Sequence, residues 1–246
     1  MLTKEVYAKS ILSPSKIYPW VINPYTGCAH KCSYCYASFM KRFTGHLEPW
    51  GDFVDVKVNA VDLLRREILK KKPDRVWVSG VFDPYQPLEG KYQLTRQCLA
   101  ILAEHGWPVT VQTRSPLITR DIDILKTGKD WQVGLSITTA DDSIRKLFEP
   151  SAPPIQARVD ALEKLHQAGI HTFVMIAPML PGAEALPDIL SGKVDTIILD
   201  RMNYNHSTAI YRQNHLTDKM TDEFFDETSR FLSSAFTRLG IECQRV

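Results

Sequence analysis

Long apolar runs are missing from this chain. Nowhere do about 18 consecutive apolar residues occur, so no segment is suited to cross a bilayer as a helix, and no membrane partner is expected. The first twenty residues, MLTKEVYAKSILSPSKIYPW, hold no apolar stretch ahead of a small-residue cleavage site, and no signal peptide is expected. Neither sign of charge is in excess. The formal net charge is +2, which gives no support for broad electrostatic binding to nucleic acid but leaves room for a local basic groove. Low-complexity tracts and short repeats are also absent. Cysteine is scarce and odd in number, five in 246 residues, which argues against a secreted disulfide framework and for a reducing, cytoplasmic setting. The composition is otherwise that of a globular chain, 44% hydrophobic and long enough for one large core, so a single domain over 1–246 is expected.

What the chain does have is a concentration of thiols. Cys28, Cys32 and Cys35 fall within eight residues, in GCAHKCSYCY (27–36), and no second cluster exists. Three small buried residues are one reading of them. A structural zinc site is another, although zinc usually takes four ligands in two separated pairs. His30 lies inside the loop, and Cys98 and Cys243 lie far along the chain. The third reading is an iron–sulfur cluster. Such a cluster takes four thiolates when it only carries electrons, so three leave one iron open.

The rest of the chain alternates. Apolar runs at 75–80, 108–115, 131–139, 170–180 and 194–200 read as buried strands, and YPWVIN (18–23) as a further one entering the cysteine loop. FVDVKV (53–58) reads as a short edge strand. Helical spacing covers 58–72, 94–106, 116–128, 154–169 and 217–240, with Thr217 or Asp218 as the cap of the last and Gly240 as its stop. Strands bounded by helices predict an α/β fold with a parallel sheet covered on both faces. Six βα units are too few for a closed eight-fold barrel, which leaves a partial barrel or an open sheet. In either, functional groups gather at the carboxyl ends of the strands.

The C-x3-C-x2-C loop after a first strand resembles the radical S-adenosylmethionine (radical SAM) superfamily. NPYTGCAHKCSYCYA (23–37), FDPYQPLE (82–89), TRSPLITRDIDIL (113–125) and LSITT (135–139) are similar to its spore photoproduct lyase-like branch, also labelled DNA repair photolyase-like, over about 18–205. The resemblance implies a partial (β/α)6 barrel. It implies a [4Fe–4S] cluster on Cys28, Cys32 and Cys35 whose open iron binds the methionine amino and carboxylate groups of S-adenosylmethionine. Reductive cleavage would then give a 5′-deoxyadenosyl radical that abstracts hydrogen from an unidentified substrate, with a nucleic-acid lesion among the candidates. An external one-electron donor, flavodoxin- or ferredoxin-like, is implied as partner. The alternative is a non-catalytic zinc- or iron–sulfur-binding module that interacts with nucleic acid.

Residue by residue, the resemblance sets Tyr34 near the adenine and Ser79 and Gly80 near the methionine amino group. Arg114 stands where a Lys is common and would pair with the methionine carboxylate. Ser136 would meet the ribose, and the backbone of Ala177 and Met179, in IAPMLPG (176–182), the adenine. Asn203 would face the same cavity, and Asp83 would form a cofactor or substrate wall or else close a turn on its own backbone. In the lyases, tyrosines at the positions of Tyr34 and Tyr36 help relay a hydrogen atom. Those lyases also use a further cysteine near the second strand; here none lies between Cys35 and Cys98. The long extensions that hold DNA are lacking as well. Cys98 reads as packing, the basic run RREILKKKPDR (65–75) as a solvated helix end, Glu89 as solvent-facing, and His30, His206 and His215 as solvated loop residues.

Overall fold

Short apolar, β-branched runs buried on both faces build the centre of the computed structural model, which describes residues 1–246. In chain order the strands are β1 (Leu2–Val6), β2 (Ser13–Pro14), β3 (Trp20–Ile22), β4 (Tyr25–Thr26), β5 (Phe53–Lys57), β6 (Val76–Val78), β7 (Val109–Thr113), β8 (Trp131–Ser136), β9 (Thr172–Ile176), β10 (Thr196–Leu199) and β11 (Glu242–Arg245). The main sheet runs in the order β2-β3-β6-β7-β8-β9-β10-β11, with every pair parallel except β2 with β3. Its edge strands β2 and β11 do not pair with each other. The result is an α/β partial barrel whose six expected strands are all present, in sequence order.

Strand interiors such as Val109, Val111, Val133, Leu135, Val174 and Ile176 are fully buried. They pack in one large cluster against Leu64, Leu99, Leu102, Leu162, Leu165 and Phe236 from the helices outside. At about 1.5–3 kcal/mol for each fully buried side chain, this layer is the main favourable contribution to the fold. Gly134 on β8 is required by the next strand, since a Cβ there would stand 2.2 Å from the Phe173 ring. Cys98, fully buried in this cluster, is a packing residue as expected.

Several expectations are corrected. The segment 53–58 is no edge strand: β5 is the middle of a separate three-stranded sheet, between β1 and β4, and its first four residues are buried. A seventh parallel strand, β11, was not foreseen, because ECQR is mostly exposed and carries no apolar signal. The helix expected over 116–128 is a 3-10 turn (Pro116–Asp121) followed by a short α-turn (Ile122–Leu125). The last helix starts at Asp222, not 217: Thr221 is its cap and accepts from the Phe224 amide at 3.2 Å. Gly240, at φ +73°, ends it as expected. No helix is long and apolar enough to cross a membrane.

Candidate active site at the cysteine loop

The cysteine loop leaves β4 and runs into a 3-10 helix, Tyr36–Phe43, which opens directly after Cys35. Gly27 starts it at φ +91°, and a Cβ there would lie 2.4 Å from the Phe53 carbonyl, so the turn needs glycine. Gln86, fully buried in the loop after β6, clamps the segment. Its amide donates to the Gly27 carbonyl, and its carbonyl accepts from the Ala29 amide, both at 3.1 Å. The Ser33 amide donates to the Phe148 carbonyl at 2.8 Å, and the Ser151 amide to that of His30 at 3.2 Å. The loop is thus fixed from two sides, by the segments that follow β6 and β8.

Cys28, Cys32 and Cys35 are free thiols, each half-buried. Burial, and then the Asp83 charge, push the Cys28 thiol up to about 12. Burial pushes the Cys32 thiol up too, against the lowering effect of Arg114. A thiolate at either position therefore needs a cationic partner. No three His, Cys, Asp or Glu side chains converge as the ligands of one ion would. Thiolates on separate corners of a cluster do not require that convergence. The donor set, three thiols on one anchored loop, fits a [4Fe–4S] group.

A second feature fits the expected small molecule. Ser79, just past β6, holds φ +58°, a left-handed conformation that costs a serine about 1–2 kcal/mol. Its hydroxyl is buried with no hydrogen-bond partner. A buried unpaired hydroxyl is costly, and a polar ligand at this strand end would satisfy it. Gly80 beside it has no room for a Cβ, which would meet the Trp77 ring at 2.8 Å. Ser136 ends β8, buried, with its hydroxyl accepting from Gln112 at 2.9 Å. The Ala177–Pro178 peptide is cis, and the Met179 amide donates to the Asp200 carbonyl at 3.2 Å.

Beneath the loop lies a buried charge network that sequence reading missed. Tyr34 donates its hydroxyl to Glu149, which is fully buried. Glu149 also accepts from Arg158, itself fully buried, from Thr138 at 3.0 Å and from Arg114 at 3.4 Å. Arg114 further donates to the Tyr34 hydroxyl at 3.0 Å and stacks over its ring. Burial alone would raise the Glu149 carboxyl. The Arg158 and Arg114 charges outweigh it and hold the group down at about 2. Burial and Glu149 push the Tyr34 phenol well up, against the pull of Arg114. Arg114 is thus half-buried and engaged, not a surface cation.

Asp83 is buried and takes the turn-closing role. It accepts from the Tyr85 amide at 2.9 Å, the Thr113 hydroxyl and the Arg114 amide at 2.8 Å. His30 is corrected from a solvated loop residue to a buried one, its Nε2 3.1 Å from Asp83 Oδ2. Burial opposes ionisation of Asp83, but the His30 charge and these donors hold its carboxyl at about 2. Glu89 is corrected too. It is fully buried, pairs with Arg120 at 2.9 Å and accepts from Tyr25, the Thr95 amide and the Arg96 amide. Asn203, past the end of β10, is exposed, and its amide donates to both Asp200 oxygens at 3.0 and 3.1 Å. Tyr36 is exposed, donates to the Gly80 carbonyl and stacks on Tyr204 with ring centroids 6.4 Å apart.

The family model described as Radical SAM superfamily matches residues 22–185, from the end of β3 to beyond β9. An uncharacterised protein of Methanocaldococcus jannaschii is 35% identical over 179 residues, covering 72% of this chain and 67% of that one. The Radical SAM Nalpha-GlyT isomerase of Pseudomonas phage M6 is 27% identical over 168 residues, covering 68% of this chain but 34% of its own length. Among solved structures, spore photoproduct lyase complexed with dinucleoside spore photoproduct superposes at a TM-score of 0.73 and 15% identity, over 99% of this chain and 81% of that one.

Proposed function

The chain belongs to the radical SAM superfamily, whose members use a [4Fe–4S] cluster and S-adenosylmethionine, and on that premise we propose a reductive, hydrogen-abstracting enzyme built on this loop. The observation that carries the reading is the anchored trio Cys28, Cys32 and Cys35 beside the unpaired buried hydroxyl of Ser79. When bound, the two groups supply one-electron cleavage of a sulfonium and hydrogen abstraction from substrate. The three thiolates would hold the cluster. Ser79 and the Gly80 backbone would take the methionine amino group, and Arg114 its carboxylate. Ser136 would bond the ribose, and the backbone of Ala177 and Met179 would line the adenine.

The tyrosines divide. Tyr34 has its phenol committed to Glu149 and Arg114, so its role is to wall the site and hold Arg114. Tyr36 donates to the Gly80 carbonyl beside Ser79 but keeps an exposed ring, and it is the tyrosine we assign to hydrogen relay toward substrate. Asp83 positions His30 and the Arg114 backbone.

The substrate to test first is a nucleic-acid lesion, since the lyase of like fold is complexed with a dinucleoside spore photoproduct. An external one-electron donor in a reducing, cytoplasmic setting completes the reading. The test is anaerobic reconstitution, dithionite and S-adenosylmethionine, with 5′-deoxyadenosine read by mass spectrometry. Product from the native chain and none from Cys32→Ala supports the proposal. A colourless, zinc-containing protein overturns it.

A further inference from the structure

The segment after β10 carries two features that the proposed chemistry does not use. The first is a cavity of about 400 Å³ at the carboxyl ends of β10 and β11. The parallel strands share that end, so the cavity lies at the same end of the barrel as Ser79, Arg114 and Ser136. Arg201, Arg230 and Arg245 line it, with Arg201 5.6 Å from the centre of the Phe225 ring. Arg230 and Arg245 bond only to backbone, donating to the Asp226 and Ser229 carbonyls at 3.2 Å. Arg201 pairs with Asp222, an exposed contact weak enough for a phosphate to replace. The two aspartates in the lining, Asp200 and Asp226, pair with none of the three, and Asp200 is held by Asn203. Guanidinium groups gathered round one cavity repel one another, and an anion between them removes that repulsion. The second feature begins three residues on. Tyr204 stacks on Tyr36, with centroids 6.4 Å apart and planes 19° from parallel, and the His206 ring follows at 5.5 Å. The cysteine loop holds the segment in place: the Ser207 and Ser33 hydroxyls meet at 2.9 Å, and His206 Nδ1 lies 3.3 Å from the Cys35 carbonyl. The stacking leaves Tyr36 41% and Tyr204 51% exposed, and His206 is exposed as well. The row of rings is anchored on the cysteine loop and open to solvent.

Resting on the proposed function, we propose that this segment holds a single-stranded nucleic acid at the site, with its phosphates in the arginine cavity and its bases on the Tyr204 and His206 rings. Each half fits one part of such a strand. Planar guanidinium forks take phosphate oxygens two at a time. Aromatic rings stack on any base, whatever the sequence. Arg201 and Tyr204 are three residues apart, so at most about 11 Å separates their backbones, or about three nucleotides of strand at about 3.4 Å each. A base on Tyr204 has its nucleotide beside Tyr36, the tyrosine assigned to hydrogen relay. A duplex is the poorer occupant, because its bases are paired and stacked inside the helix and do not reach the rings. An acidic peptide fits the arginines and leaves the rings without a role. The basic run 65–75 leads into the amino end of β6, at the opposite end of the barrel, and is no part of this site.

The experiment uses the reconstituted full chain and a short fluorescein-labelled oligothymidylate as the probe. Fluorescence anisotropy over a range of salt measures binding by the native chain, by Arg230→Ala combined with Arg245→Ala, by Tyr204→Ala and Tyr204→Phe, and by Lys70→Ala combined with Lys72→Ala. Iron content and circular dichroism confirm that each variant is folded and loaded. The native affinity should fall with salt at a log–log slope near about −2, which is about 0.7 for each of three phosphates. Removing Arg230 and Arg245 should flatten that slope by about 1.4 and weaken binding on the order of tenfold or more. Tyr204→Ala should weaken binding on the order of tenfold with the slope unchanged, and Tyr204→Phe should restore it. An abasic strand of the same length should bind Tyr204→Ala and the native chain alike. The lysine pair should change affinity by less than about twofold. No binding by the native chain, or a slope and affinity unchanged by the arginine variants, overturns the inference. So does an equal loss from the lysine pair, or a glutamate-rich peptide that binds more tightly than the oligothymidylate and is lost in the same variants. A chain that binds the strand as expected yet forms no 5′-deoxyadenosine with dithionite keeps the site and counts against the proposed function alone.

Discussion

Replacing Glu149 with Gln tests whether the buried network holds the site. The change keeps shape and removes one charge. It leaves Arg158, fully buried, with no carboxylate, and turns one of the two acceptor oxygens shared by Arg158, Tyr34, Thr138 and Arg114 into an amide donor. Breaking a buried ion pair from one side costs about 3–5 kcal/mol. The carboxyl's own displacement gives a second figure. It falls from 4.5 to about 2, which at about 1.4 kcal/mol per pH unit is worth roughly 3 kcal/mol at neutral pH. The sign follows from the direction. A carboxyl held below its unfolded value adds stability that is complete above about 4.5 and is lost as pH falls toward about 2. For a chain of this size about 3 kcal/mol lowers Tm by roughly 6–12 °C. The assay is thermal unfolding by circular dichroism at pH 7 and at stepped lower pH. A loss below about 1 kcal/mol at neutral pH, or one that does not shrink as the native chain is acidified, would refute the reasoning.

Other changes separate folding from ligand binding. Ser79→Ala removes a hydroxyl that bonds nothing, so Tm should hold or rise slightly. Its S-adenosylmethionine Kd, by equilibrium dialysis, should weaken on the order of tenfold. Gln86→Leu removes both clamps on the cysteine loop and should cost about 2–3 kcal/mol, with a fall in iron bound per chain after reconstitution. Gly27→Ala should fail more severely, since its Cβ meets a carbonyl at 2.4 Å, and soluble yield should drop sharply. Asn203→Ala, by contrast, should leave both S-adenosylmethionine affinity and Tm nearly unchanged, because the side chain is exposed and bonds only Asp200.

The strands were legible because they are buried on both faces. VTVQT and TFVMI can hardly be read otherwise. The cysteine loop was legible because its residue types and spacing carry the chemistry themselves. What stayed hidden was set by pairing at long range. Tyr34 and Glu149 are 115 residues apart, and nothing local distinguishes Glu149 from any acidic residue at a helix end. Glu89 and His30 read as surface residues because type alone puts them there. Their burial depends on Arg120 and on Asp83, which only the fold brings near. The start of the last helix was misjudged among three hydroxyl or carboxyl caps within five residues, and Thr221 prevails by bonding the Phe224 amide.

The central claim is that three thiolates leave one iron open for a small molecule. The most direct measurement is electron paramagnetic resonance of the anaerobically reduced, reconstituted protein, before and after addition of S-adenosylmethionine. The expected result is a [4Fe–4S] signal, absent from Cys32→Ala, whose shape changes when S-adenosylmethionine binds. A reduced cluster whose signal is indifferent to saturating S-adenosylmethionine, or protein that takes up zinc and no iron, would contradict the claim.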